Sequence, residues 1–167
     1  ALIPGNRSQF PTLLDFVVEN GRIVYRNAKK NEIEIGIAHG TITSETENTP
    51  VRLVVDGTYN GVTARVTGSP MDSFQALRDA SKPYNGSVDL VAVRTALHFQ
   101  GAFNEPLDFD GVQGTLEIDI ASLDSILRVF GIPKSPRIPF KIAGSLQRQG
   151  DLWQIESASA RLSANPF

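Results

Sequence analysis

Two pairs of carboxylates and two histidines are the residues whose types and spacing come nearest to chemistry. Glu32 and Glu34, and Glu117 and Asp119, each stand two positions apart in alternating runs, which on a strand places each pair on one face at about 7 Å. That separation admits one carboxyl as acid and the other as base in a hydrolysis. Such pairs are more commonly the wet face of a half-buried sheet, and nothing else converges on them. His39, in AHGT, and His98, in LHFQ, have no carboxylates at metal-ligand spacing in sequence. Each is expected to be an exposed or cross-strand histidine. No G-x-S-x-G, H-E-x-x-H or phosphate-cradling glycine loop occurs. The expectation is therefore a protein that is not an enzyme, with no catalytic residue, metal or cofactor; a hydrolase acting through Glu117 and Asp119 has no specific feature behind it.

The elements that would position these groups are strands. The chain has 167 residues, 41% hydrophobic and 20% charged, enough for one domain with a sizeable core. Its 16 basic and 18 acidic side chains leave a net charge of −2, no electrostatic footprint for nucleic acid. Without cysteine it has neither disulfides nor thiolate metal sites. No apolar run is long enough to span a bilayer as a helix, and ALIPGNRSQF is not a signal peptide. The absence of an initial Met and the ending ANPF are read as those of a fragment of a longer protein.

Short alternating runs separated by turn residues recur about every ten residues, the pattern of a large antiparallel sheet. Leu14, Phe16 and Val18 alternate with Asp15 and Glu19, and Asn20-Gly21 predicts a tight hairpin returning through Arg22 to Arg26. Ile33, Ile35 and Ile37 make the third strand of that meander. Val51, Leu53 and Val55 lead to a second hairpin at Asn60-Gly61, and Ser69-Pro70 is expected to close its return strand. Asp72-Ser73 can cap a short helix through Ala80, with Phe74 and Leu77 on one side. Further strands are expected around 87–93, 96–103, 112–120, 138–146 and 152–162. Between the third and fourth of these, Ser122 is a good N-cap, Leu123, Ile126, Leu127 and Phe130 form a stripe at helical spacing, and Gly131 and Pro133 end it. So short a helix must be held by packing on the sheet, and it is expected at the end or rim of the apolar face. The fold class is thus mainly β: a large curved antiparallel sheet, of open-groove or partial-barrel type, with two short helices. Residues 1–11 form an N-terminal flanking segment and 12–167 a single domain.

The order of motifs resembles domains of the AsmA family, bacterial outer-membrane biogenesis proteins that include TamB relatives. DFVVENGRIVYRN is similar to the family's strand, Asn-Gly, Ile-x-Tyr opening, and DGTYNGVTARVTG to its following hairpin. The segment beginning GTLEIDIASLDSILRVFGIPKSPRIPFKIAGSL and running through DLWQIESASARLSAN resembles its glycine-led strand, Leu-rich helix, Pro-Phe re-entry and closing strand pair. The resemblance covers roughly residues 12 to 165. It departs where Gly-Ile-Pro-Lys-Ser-Pro follows the helix and where the final strand is cut short.

What the resemblance implies is a periplasmic module of a Gram-negative envelope protein, anchored in the inner membrane by a segment outside this sequence. It implies phospholipid binding or conduction along an apolar concave sheet, with the two membranes and other envelope proteins as partners of the full-length protein. The strand alternation supplies candidate lipid-facing residues: Phe16, Val18, Ile35, Leu53, Val55, Leu90, Phe99, Leu116, Ile118, Phe140 and Ile142. Leu123, Ile126, Leu127 and Phe130 would cap or cover that face. The alternative is a structural or interaction module that supports outer-membrane protein assembly without touching lipid.

Overall fold

The computed structural model describes residues 6–26, 32–107, 110–121, 139–150 and 152–162, without the side chains at 25, 26, 32, 33, 157, 158 and 160–162. Nine strands, β1 (Asp15–Arg26), β2 (Glu32–Thr43), β3 (Pro50–Tyr59), β4 (Val62–Ser73), β5 (Tyr84–Ala92), β6 (Thr95–Glu105), β7 (Asp110–Ile120), β8 (Phe140–Gln149) and β9 (Leu152–Leu162), form one sheet. Their spatial order is their sequence order and every pairing is antiparallel. β1 and β9 are its edges, so the mainly β class holds with an open sheet. The described helical structure is α1 (Phe74–Arg78) and a 3-10 turn, Arg7–Gln9. The second expected helix, with Leu123, Ile126, Leu127 and Phe130, lies outside the described residues.

The Asn60-Gly61 hairpin forms as expected, with φ of 47° and 78° at its two turn residues, the left-handed pair that such a turn demands. Asn20-Gly21 behaves differently. β1 runs straight through it, and the three-strand meander expected here is two long strands, β1 and β2, paired at eleven positions. Only Asn20 is left-handed, at φ 54°. It falls opposite Ala38, and neither residue enters the pairing. Ala38 is also the extra residue against β3 between Ile37 and His39. The matched irregularity resets the pleat in both strands, so Phe16 and Val18 share a face with Ile23, as Ile37 does with Ile42.

Ser69-Pro70 likewise does not close β4, which continues to Ser73. Pro70 has no N–H for the ladder, and the register shifts between Gly68 and Met71. That bulge returns Met71 to the face of Val66 and Gly68. Ser73 then caps α1, its hydroxyl accepting from the Ala76 N–H, and Phe74 and Leu77 are the helix's buried residues.

Core packing gathers on one face. Val51, Phe74, Leu77 and Tyr84 form one buried cluster with Phe10, Leu13, Ile42 and Met71 against it. Phe99, Phe103, Val112 and Leu116 form a second. In the second, Gly101 and Gly114 sit opposite one another, and a Cβ on either would come within 2.8 Å of the Phe99 ring tip. The two glycines leave room for that ring to lie over the sheet.

Residues 6–13 engage the domain directly. Arg7 is 2% exposed. Its guanidinium donates to four carbonyls: Leu77 at 2.6 Å, Asn104 at 2.7 Å, Ala76 at 3.0 Å and Lys82 at 3.1 Å. Two of these, Ala76 and Leu77, belong to the last turn of α1, where the negative dipole end favours a cation. Phe10 stacks on Phe74 at 6.3 Å, and Arg78 binds Thr12 and Glu47, each at 2.6 Å.

Candidate functional site

Cross-strand partners in an antiparallel sheet share a face, so the register sorts the side chains. Phe16, Val18, Ile35, Leu53, Val55, Leu90, Phe99, Leu116, Ile118, Phe140 and Ile142 all fall on the same face, linked by pairs such as Val88↔Phe99, Leu97↔Ile118 and Ile118↔Ile142. Sequence alternation alone misses several neighbours on this face. Ile23 and Ile42 lie beyond the pleat resets, and Met71 beyond the Pro70 bulge. A change of phase in the apolar alternation, from even to odd positions after Val18 and from odd to even after Ile37, is the signal that locates the resets.

From its lower end, where β1 begins and β2 ends, this apolar face is covered across β2 to β5 by residues 6–13 and α1. Burial of Tyr84 there pushes its hydroxyl well above the usual tyrosine range, and it donates to the Asp72 carbonyl at 2.6 Å. Toward the opposite end the face opens. Ile23 (53%) and Tyr59 (40%) are exposed there, as are Phe16 (43%), Trp153 and Ile155 near the lower ends of the two edge strands; Leu53, Val55, Leu90, Ile118, Phe140 and Ile142 are half-buried, and Phe99 and Leu116 are buried in the core. Formal charge enters the alternation of this face at its lower rim, where Arg148 packs over the Trp153 ring at 5.1 Å.

The opposite face carries Glu34, Glu117, Asp119 and the two histidines, facing cross-strand partners. His39 meets Glu19 and His98 meets Asp89, both at 2.6 Å. Asp56 pairs with Arg65 at 3.1 Å and Asp119 with Lys141 at 2.5 Å. Arg22 clamps Glu34 through two bonds and holds its carboxyl below the usual range. Glu117 lies opposite His98 in the register. The two histidines are the cross-strand residues that the sequence suggests. Among the described residues no cluster of three His, Cys, Asp or Glu could hold a metal ion.

Hollows open on this polar face, among them one of about 1100 Å³ beside Thr58, Arg65 and Val93, one of about 350 Å³ beside His98, Asp119 and Lys141, meeting the first at Val91, and one of about 480 Å³ beside Asn85, Gln100 and Gln113. A twisted sheet is saddle-shaped, so hollows are available to both of its faces. The apolar face is distinguished by its chemistry. Compared with known proteins, the chain matches no family model, no curated protein and no solved structure.

Proposed function

We propose that the chain is a periplasmic β-groove module of an AsmA-like protein in outer-membrane biogenesis, and that it binds or conducts phospholipid along its apolar face. One observation carries this reading: eleven residues chosen from alternation alone share one face from β1 to β8, while ion pairs occupy the other. Large side chains on that face remain exposed away from α1. Exposed large apolar side chains gathered on one face, Phe16, Ile23, Ile35 and Tyr59 on β1 to β3, mark a binding surface. Each acyl methylene buried against it contributes about 0.8 kcal/mol. Many small gains without a charged clamp suit a surface that must also release its cargo. The family motifs supply the rest of the proposal: the periplasm, an inner-membrane anchor outside this sequence, and both membranes and envelope proteins as partners.

A second reading, an interaction module that supports outer-membrane protein assembly without lipid, is favoured by the covered lower end. There Phe74, Leu77 and Phe10 fill the face with the protein's own side chains. Titration with a fluorescent phospholipid separates the two. Leu53→Glu and Ile118→Glu should each weaken lipid binding at least tenfold while far-UV circular dichroism is retained. Unchanged binding in both folded variants would overturn the lipid reading.

A further inference from the structure

β1 is an edge strand whose large apolar side chains are exposed on both faces: Phe16 and Ile23 on the apolar face, Val17 (50%) and Val24 (40%) on the polar one. A long edge strand with exposed apolar side chains on both faces is a template for pairing with another chain. Its outer row of N–H and C=O groups specifies the covering chemistry, another extended strand.

The sequence of β1, DFVVENGRIVYR, is its own antiparallel complement about Asn20-Gly21. Asp15 matches Arg26, Phe16 matches Tyr25, Val17 matches Val24, Val18 matches Ile23, and Glu19 matches Arg22. That is the code of a hairpin, and the Asn-Gly turn completes it. In the structure the strand is straight, its inner edge spent on β2, so its outer edge still presents the code. We propose that β1 pairs antiparallel with β1 of a second copy in this register, with the two-fold axis at Asn20-Gly21.

The pleat reset at Asn20 makes the register possible. These pairs join an odd to an even position, which in an unbroken strand would set opposite faces together. With the reset, Val18 and Ile23 both lie on the apolar face, and Val17, Glu19, Arg22 and Val24 all lie on the polar one. Unlike charges then face each other, and a slip of one residue sets side chains of opposite faces against each other. The product is one sheet of eighteen strands, nine from each copy, with both apolar faces on the same side. This interface is independent of whether lipid binds.

The chain has no cysteine of its own, which allows a clean test. In the straight strand positions 17 and 24 are separated by roughly 23 Å, far beyond the span of about 7 Å that a disulfide bridges. Val17→Cys mixed with Val24→Cys should oxidise to a covalent dimer, whereas either alone should not, and the double variant should give a dimer. Sedimentation of the unmodified chain at high micromolar concentration should show the same dimer. Three results would each overturn the proposal: an internal 17–24 disulfide in the double variant, which would mean a hairpin within one copy; linkage of Val17→Cys to itself as readily as to Val24→Cys; or absence of linkage with a monomer by sedimentation.

Discussion

Replacing Arg7 with methionine keeps the unbranched stem and removes the charge and four donors. The guanidinium is almost completely buried and its four acceptors are all backbone carbonyls, drawn from α1, the turn after it and the end of β6. Hydrogen bonds to a charged group contribute about 1.5–3 kcal/mol each, but four on one residue do not add. Leu77 O, whose bond is buried, loses its donor at a cost of about 1–3 kcal/mol; the other three bonds are only partly buried, and their carbonyls can regain water. Against these losses stands relief of the cation's own desolvation, several kcal/mol before its bonds are counted. The net expectation is a loss of about 3 kcal/mol, a large part of a domain stability of roughly 5–15 kcal/mol. Urea unfolding followed by far-UV circular dichroism measures it. Arg7→Lys, which offers three donors from one point, should recover less than half. A loss below about 1 kcal/mol in Arg7→Met would refute the reasoning, because it would mean that the segment around Arg7 is not tied to the end of the apolar face.

Val93 takes a left-handed φ of 51° in the two-residue β5–β6 turn and is 68% exposed, so a β-branched side chain stands where glycine is favoured. Val93→Gly should raise stability by about 0.5–1 kcal/mol in the same unfolding assay, relief of left-handed strain outweighing glycine's entropy; a lower urea midpoint would contradict this. Asp110 accepts from the Gly150 N–H at 2.7 Å and the Gly111 N–H at 2.8 Å, which hold its carboxyl below the usual range. Its folded pKa lies below the unfolded value of about 3.9, so its contribution is present above that pH and lost as pH falls through the folded value. Asp110→Asn should therefore lower the urea midpoint near neutral pH and narrow its fall toward about pH 3; an unchanged acid limb would count against the role.

Antiparallel strands with one wet face write their register into the sequence, and β3, β9 and β4 as far as Gly68 are legible for that reason. Val51 to Val55, the Asn60-Gly61 turn and the last strand carry local signals that tertiary structure does not override. At Asn20-Gly21 it does override them. A hairpin there would join about five cross-strand pairs, whereas β2, with its own pleat reset at Ala38, offers eleven. Ile23, Ile42 and Met71 were illegible as members of the apolar face because a reset or bulge separates each from the alternation that names the others. Arg7 was illegible for a different reason. Its partners are carbonyls 69 to 97 residues away, and a carbonyl leaves no trace in side-chain identity.

The claim that phospholipid lies on the apolar face is tested most directly by placing a photoreactive amino acid at single positions and mapping lipid adducts by mass spectrometry after exposure to phospholipid vesicles. Val55 and Leu90 sample the apolar face on β3 and β5, and Thr67 and Thr115 the polar face on β4 and β7. Adducts are expected from Val55 and Leu90 and not from Thr67 or Thr115. Equal labelling of the two faces, or none from Val55 and Leu90 in folded protein, would contradict it.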